Sequence, residues 1–273
     1  MVREANWRSY TLLFVLLFIV LLPMINMIFT SLKTDAELYG GNGWFPAEPT
    51  LDNYRYVFRN TSFPRNVLNS LIISASVTLI SMIAASLAGY ALTRFRGRVF
   101  GLYKGFLYLI QMIPAVLMLM PLFIVIRKIG LYDHMASLII THTAINLPVC
   151  IWMMKSFYDT IPYDIDESAF IDGCNHFKAF LLLLLPMSAT GLASVGIMAF
   201  LYSWNEYMLA SVFIRTNSLS TLSVGLSQFS QQFSVEWGAM MAASTIATIP
   251  ALLFLVFVQK YIVQGLTAGA VKG

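Results

Sequence analysis

"PYDIDESAFIDGCNHFKAFLLLLLPMS", residues Pro162–Ser188, puts charge directly beside grease. Five acidic residues fall between Asp159 and Asp172, Lys178 follows, and five consecutive leucines then run into Pro186. Pro162 ends whatever helix precedes it. Asp164 lies three residues before Glu167, the spacing of a capping box, which predicts a short helix over about 165–172. Gly173 is a good residue for a left-handed stop, and a second helix is predicted to open near Asn175 and to be kinked at Pro186. Ile161, Ile165 and Ala169 make one mildly apolar stripe at four-residue steps. Ser168 and Ala169 are small enough to let another protein approach the backbone. Two readings stand: an interfacial helix that merely links two apolar segments, or a docking element.

The rest of the chain decides what solvent that helix lies in. Of 273 residues, 58% are hydrophobic and only 11% charged, less than half the charge of an ordinary soluble domain, which is about a quarter. Lipid is therefore part of the solvent, and the chain reads as an all-α integral membrane protein. Six segments are long and apolar enough to cross about 30 Å of hydrocarbon: about 10–29, 67–92, 102–126, 136–154, 179–201 and 240–259, in one transmembrane domain over 1–273. The first, behind Arg3 and Arg8, exceeds a signal-peptide core and is followed by "TSLKTDAE" rather than a cleavage site, so it reads as retained.

Basic residues orient the bundle. "TRFRGRVFGLYK" carries Arg94, Arg96, Arg98 and Lys104 without an acid, and Arg3, Arg8, Lys260 and Lys272 fall on the same face. That face is cytoplasmic by the positive-inside rule, with both termini on it. The acidic loop shares it. Opposite lie two long external loops, 30–66 and 203–238, the first turn-rich through "LYGGNGWFPAEPTLDNY".

Several chemistries are absent. No G-x-x-x-x-G-K-[ST] is present to cradle nucleotide phosphates. Spans two to six as drawn hold no Asp, Glu or Arg, and their one lysine, Lys104, sits at the basic end of span three, which argues against proton or sodium coupling. His134, His142 and His176 cannot meet, Cys150 and Cys174 lack ligand spacing, and no metal site is expected. His142, deep in span four, reads as a neutral, hydrogen-bonded group. "GLS" at Gly225–Ser227 has no later histidine to act as its base, so a hydrolase is disfavoured. The net charge of +4 calls for no nucleic-acid partner. A membrane scaffold stays open on these grounds alone.

"E-S-A-F-I-D-G" at Glu167–Gly173, nine residues, then "L-L-L-P" ending at Pro186, resembles the EAA signature of permease subunits in ATP-binding-cassette importers. Ser168 and Leu183 are mild departures from it. "SLKTDAELY", "WNEY" and the terminal "QGLTAGAVKG" are similar to the carbohydrate-uptake, maltose-type branch, so the likeness covers nearly the whole chain. It implies the type I importer fold, six helices and a cytoplasmic coupling helix over about 164–177. In that family Asp164, Glu167, Ser168, Ala169, Asp172, Gly173 and Pro186 would serve ATPase coupling: Glu167 as polar contact, Ala169 and Gly173 for close approach, Pro186 to set the angle of span five.

The resemblance further implies a transport subunit rather than an enzyme, in a bacterial cytoplasmic membrane. Its partners would be a second permease, two ATPase subunits that bind the ATP and magnesium, and an extracytoplasmic solute-binding protein. This chain itself would hold no cofactor. The substrate would be a sugar or oligosaccharide, with a glycerophosphodiester or sugar phosphate as the alternative. Groups suited to a sugar are Tyr108, Gln111, Asn146, Trp152, Tyr202, Trp204, Asn205 and Glu206, although each also reads as helix packing or interfacial anchoring. Pro114, Pro121 and Pro148 are expected to break regular helix and to mark the pathway. The flexible, serine- and glutamine-rich loop of about 218–233, with Ser223, Gly225 and Gln228, would reach the binding protein.

Overall fold

The structure is a computed structural model that describes residues 7–41, 43–230 and 235–270. Arg3, Lys272, the last three residues of "QGLTAGAVKG" and residues 231–234 of the external loop lie outside the described residues. Among those described there is no strand, only an isolated bridge between Ser230 and Val235.

Four unbroken helices are long and apolar enough to span a membrane: Tyr10–Ser31 within α1 (Trp7–Ser31), α4 (Phe63–Arg94), α7 (Met135–Tyr158) and Trp237–Gln259 within α14 (Trp237–Ala270). Among the described residues, counting each of two bent pairs as one span brings the number to six. α5 (Arg98–Met112) and α6 (Ala115–Lys128) meet at 104°, and His176–Met187 meets α11 (Ala189–Asn205) at 76°.

Each bend has a local cause. Ile113 is extended (φ −82°, ψ 121°) because the Pro114 ring excludes helical geometry from the residue before it. The expectation for the other two prolines fails: Pro121 lies inside α6 and Pro148 inside α7, and both helices continue through them. In the fifth span Pro186 cannot donate to the ladder. The chain there widens into a π turn over Phe180–Leu184, passes through one short stretch of α-helix at Leu185–Met187, and turns at Ser188 into α11.

Two compact units are distinguished, Met1–Pro64 with Gly225–Pro250, and Arg65–Val224 with Ala251–Gly273. In the first, α2 (Asp35–Gly40) and α3 (Asp52–Asn60) occupy the long loop after α1. The Asn53 amide donates to the carbonyls of Ser31 and Lys33, closing the end of α1.

The second unit packs through small residues, as helices in lipid do where no hydrophobic force drives them together. Gly89 of α4 meets α7 so closely that a Cβ would lie 2.8 Å from Met154 Cβ and 2.9 Å from the Lys155 nitrogen. Gly191 of α11 likewise abuts the Phe157 ring. Around these approaches Tyr90, Cys150, Met154, Tyr158, Phe180 and Leu184 form one buried cluster. Ile73, Val77, Ile126, Leu138, Leu209 and Phe213 form another. The large apolar side chains left exposed on α1, α4, α5 and α14 need no cover in hydrocarbon.

Candidate functional site

The stretch with the acidic residues folds into α8 (Asp164–Ile171). No capping box forms. The helix already includes Asp164, Tyr163 at its cap is helical, and no side chain caps it; instead Ser168 Oγ donates to the Asp164 carbonyl at 2.8 Å. Asp164, Asp166 and Glu167 still favour the first turn by placing negative charge at the positive end of the helix dipole.

The exit is a Schellman motif. Gly173 has φ +82°, its amide bonds to Phe170 O at 3.0 Å, and the Cys174 amide bonds to Ala169 O at 2.9 Å. α9 (His176–Ala179) then opens behind Asn175, whose side chain accepts from the Lys178 amide at 2.8 Å.

Burial divides α8 into two faces. Asp164, Glu167, Ser168, Ile171, Asp172 and Gly173 are exposed, and Ile171 reaches 87%. Ala169 is only 3% exposed and faces inward, continuing the stripe of Ile161 and Ile165. The expectation that its small side chain is presented to a partner is therefore corrected: at this position the size limit comes from the chain's own packing. Ser168 is the small residue on the outer face.

Asp166, also buried, is a residue whose environment could not be read from the local sequence. Its carboxylate lies 2.9 Å from Nη2 of Arg94, the last residue of α4, and both side chains are almost wholly buried. Tyr90, one turn earlier, donates to Asp166 Oδ1 at 3.2 Å and lies 3.4 Å from the His176 carbonyl. Arg94 also donates to Ile161 O at 3.0 Å and sits over the Tyr163 ring. Ser86, a further turn back, pairs with Tyr158 Oη at 2.9 Å, and Tyr158 reaches Ser188 Oγ at 3.3 Å in the bend. The only signal in the sequence is the four-residue step Ser86, Tyr90, Arg94, which the charge bias that orients the bundle does not use.

The groups suited to a sugar divide into two sets. Tyr108 and Trp152 stack at 4.1 Å with 28° between their planes, Tyr108 exposed, and Gln111 is exposed one turn further along α5. Trp152 Nε1 and Asn146 Nδ2, both on α7, are buried donors without an acceptor among the described residues, the kind of group that an ordered water or a ligand hydroxyl satisfies.

The second set is held by the protein itself. His142 Nε2 lies 3.2 Å from Glu206, His142 Nδ1 pairs with Ser203 Oγ at 3.0 Å, and Tyr202 stands edge-on to the imidazole. Glu206 also accepts from the amides of Leu209 and Ala210 at the start of α12 (Met208–Phe213). Trp204 is 3% exposed and stacked on Phe200, and Asn205 bonds to Leu201 O in its own helix. These side chains are committed to packing and to building the turn.

Over its described residues, the segment expected to be a flexible loop carries a 3-10 turn at Asn217–Leu219 and a helix after it. α13 (Leu222–Ser227) is anchored on α4: the Asn69 amide donates to Ser218 O and Ser220 O, and the Leu222 amide donates to Ser70 Oγ. Buried polar residues on α4 set that order, which composition does not show. Ser223 is half-buried, Gly225 buried and Gln228 exposed.

Nearby, Asp133 adopts φ +62° and clamps the adjoining turn. Its carboxylate accepts from the amides of Arg215 and Thr216 and from the Thr216 hydroxyl at 2.6–2.9 Å. These bonds, led by the Thr216 hydroxyl, hold its pKa below the usual carboxylate value.

A polytopic helical subunit with a short, acid-tipped surface helix against a bent span is the architecture of an importer permease. The chain belongs to the family described as the binding-protein-dependent transport system inner membrane component, whose model matches residues 78–268. It is 36% identical over 260 residues to the trehalose/maltose transport system permease protein MalG of Thermococcus litoralis, covering 93% of this chain and 92% of that one. It is 35% identical over 254 residues to the sulfoquinovosyl glycerol transport system permease protein SmoH of Agrobacterium fabrum, covering 93% and 89%. The fold resembles a chain in the crystal structure of a bacterial ABC transporter involved in the import of the acidic polysaccharide alginate, with a TM-score of 0.82, 21% identity and coverage of 93% and 94%. The chain is thus a membrane transport subunit and not an enzyme.

Proposed function

We propose that this chain is one of two permease subunits of an ATP-driven importer for a sugar or oligosaccharide, and that α8 is its coupling helix. The observation that carries the coupling reading is the outer face of α8. The carboxylates of Asp164, Glu167 and Asp172 project from it with no hydrogen bond or ion pair to any described side chain, on the motif that runs Glu167, Gly173, Pro186. Carboxylates grouped at one helix end repel one another and await cationic or amide partners. The relatives' names, among them trehalose/maltose and sulfoquinovosyl glycerol systems, support a saccharide substrate.

In this mechanism two separate ATPase chains hold ATP and magnesium, and their closure pushes α8. The push reaches the bent fifth span through Pro186 and switches the pathway between inward and outward access. The termini and α8 lie in the cytoplasm, and a solute-binding protein delivers the sugar at the opposite face, near Ser223, Gly225 and Gln228. Tyr108, Gln111, Asn146 and Trp152 offer the sugar an aromatic platform and unpaired polar groups.

Reconstituted with its second permease and ATPases, the complex should raise its ATP hydrolysis when a binding protein loaded with a disaccharide is added. A cysteine at Ser168 should crosslink to the ATPase. Capture of no ATPase from Ser168, or uptake of no saccharide under ATP, would overturn the reading.

A further inference from the structure

We propose that Arg94 and Asp166, with Tyr90, form a buried joint that makes α8 and the inner end of α4 move as one body, so that span two receives the push on α8 directly. This rests on the coupling role proposed above.

An eight-residue helix is not stable by itself, and α8 turns only Ile165, Asp166, Ala169 and Phe170 towards the protein, the last against the His176 ring. Apolar contact of that size resists separation but is non-directional. The ion pair supplies direction. Two opposite charges buried together cost much to separate, because each would be left uncompensated in a medium of low dielectric. Arg94 holds α8 at Asp166, the approach to it at Ile161, and the Tyr163 ring between them. Tyr90 ties Asp166 to the opening of α9 at the His176 carbonyl.

The joint continues along α4. Ser86, Tyr90 and Arg94 occupy one face, and through Tyr158 the first of them reaches Ser188 at the bend of span five. Behind that face Gly89 seats α4 on α7 with no room for a methyl group. A displacement of α8 therefore enters the α4–α7 pair and the fifth-span hinge together. Arg94, Asp166 and Tyr90 are positioning residues and touch no transported solute.

The test uses the assembled complex in proteoliposomes, with Cys150→Ala and Cys174→Ser, and spin labels at Arg96 and Ile171. Both sites are exposed, and the Phe95 amide still bonds to Ala91 O, so the first label lies one residue beyond the last helical hydrogen bond of α4. The distance should be single, narrow and the same without nucleotide and with ATP. Asp166→Asn keeps the volume and an acceptor for Tyr90 but removes the charge. It should broaden the distance and lower uptake per ATP hydrolysed at least tenfold, while Asp166→Glu recovers most of the loss. A role in packing alone predicts no change in the isosteric variant. A wild-type distance that shifts with nucleotide, or unchanged coupling in Asp166→Asn, overturns the joint. If Asp166→Asn fails to assemble, the wild-type distance decides. Failure of Ser168 to capture an ATPase sinks the coupling reading instead and leaves the distance result standing.

Discussion

Gly173 stands at φ +82°, and a Cβ built there meets nothing within 4 Å. Within this chain glycine is needed for the backbone angle and not for space. Left-handed geometry costs an L-residue about 1–2 kcal/mol, with β-branched side chains worst and asparagine enriched there. Gly173→Asn should keep most uptake, and Gly173→Ile should lower it about tenfold, the equivalent of ~1.4 kcal/mol. Equal loss in both would mean that a partner needs the bare backbone. Gly173 was legible from the motif because its requirement is local. Asp166 was not, since the same acidic run looks alike whether a carboxylate faces water or an arginine seventy residues away.

At the scale of elements, the bends and turns follow from residues whose effect depends on their neighbours. Pro114 breaks a helix, whereas α6 and α7 continue through Pro121 and Pro148, as membrane helices do where the freed backbone groups are satisfied locally. The turn after α12 is held by Asp133. Its depressed pKa gives the sign of a pH effect: the clamp is complete above the ordinary carboxylate pKa, about 3.9, and is lost as pH falls through the lower folded value. Amide exchange at Arg215 and Thr216 should be slow at neutral pH and lose its protection only as pH falls through that lowered value. Asp133→Ala should lose that protection at neutral pH as well, where wild type keeps it. Protection unchanged in Asp133→Ala would show that the turn holds without the clamp.

At the scale of the whole molecule, charge bias, six apolar segments and one spaced motif lead to a permease subunit. α13 shows what that view leaves out. The stretch rich in serine and glutamine is pinned by Asn69 and Ser70, so deleting it would disturb α4 as well as any docking surface. A surface substitution is the cleaner test: Gln228→Arg should leave assembly intact and lower binding-protein stimulation of ATP hydrolysis about tenfold, ~1.4 kcal/mol. Full stimulation would remove that position from the docking surface.

The sequence by itself determined the solvent, the spans, the orientation expected from basic residues, and the helix–glycine–proline order of the acidic loop. Each depends on composition or on spacing within a few turns. Only the tertiary structure decided which face of α8 is buried, that Arg94 is spent on Asp166, and that Glu206 builds a turn with His142. Those pairings join residues far apart in the chain, and desolvation, which local pattern does not record, fixes what each one costs or contributes.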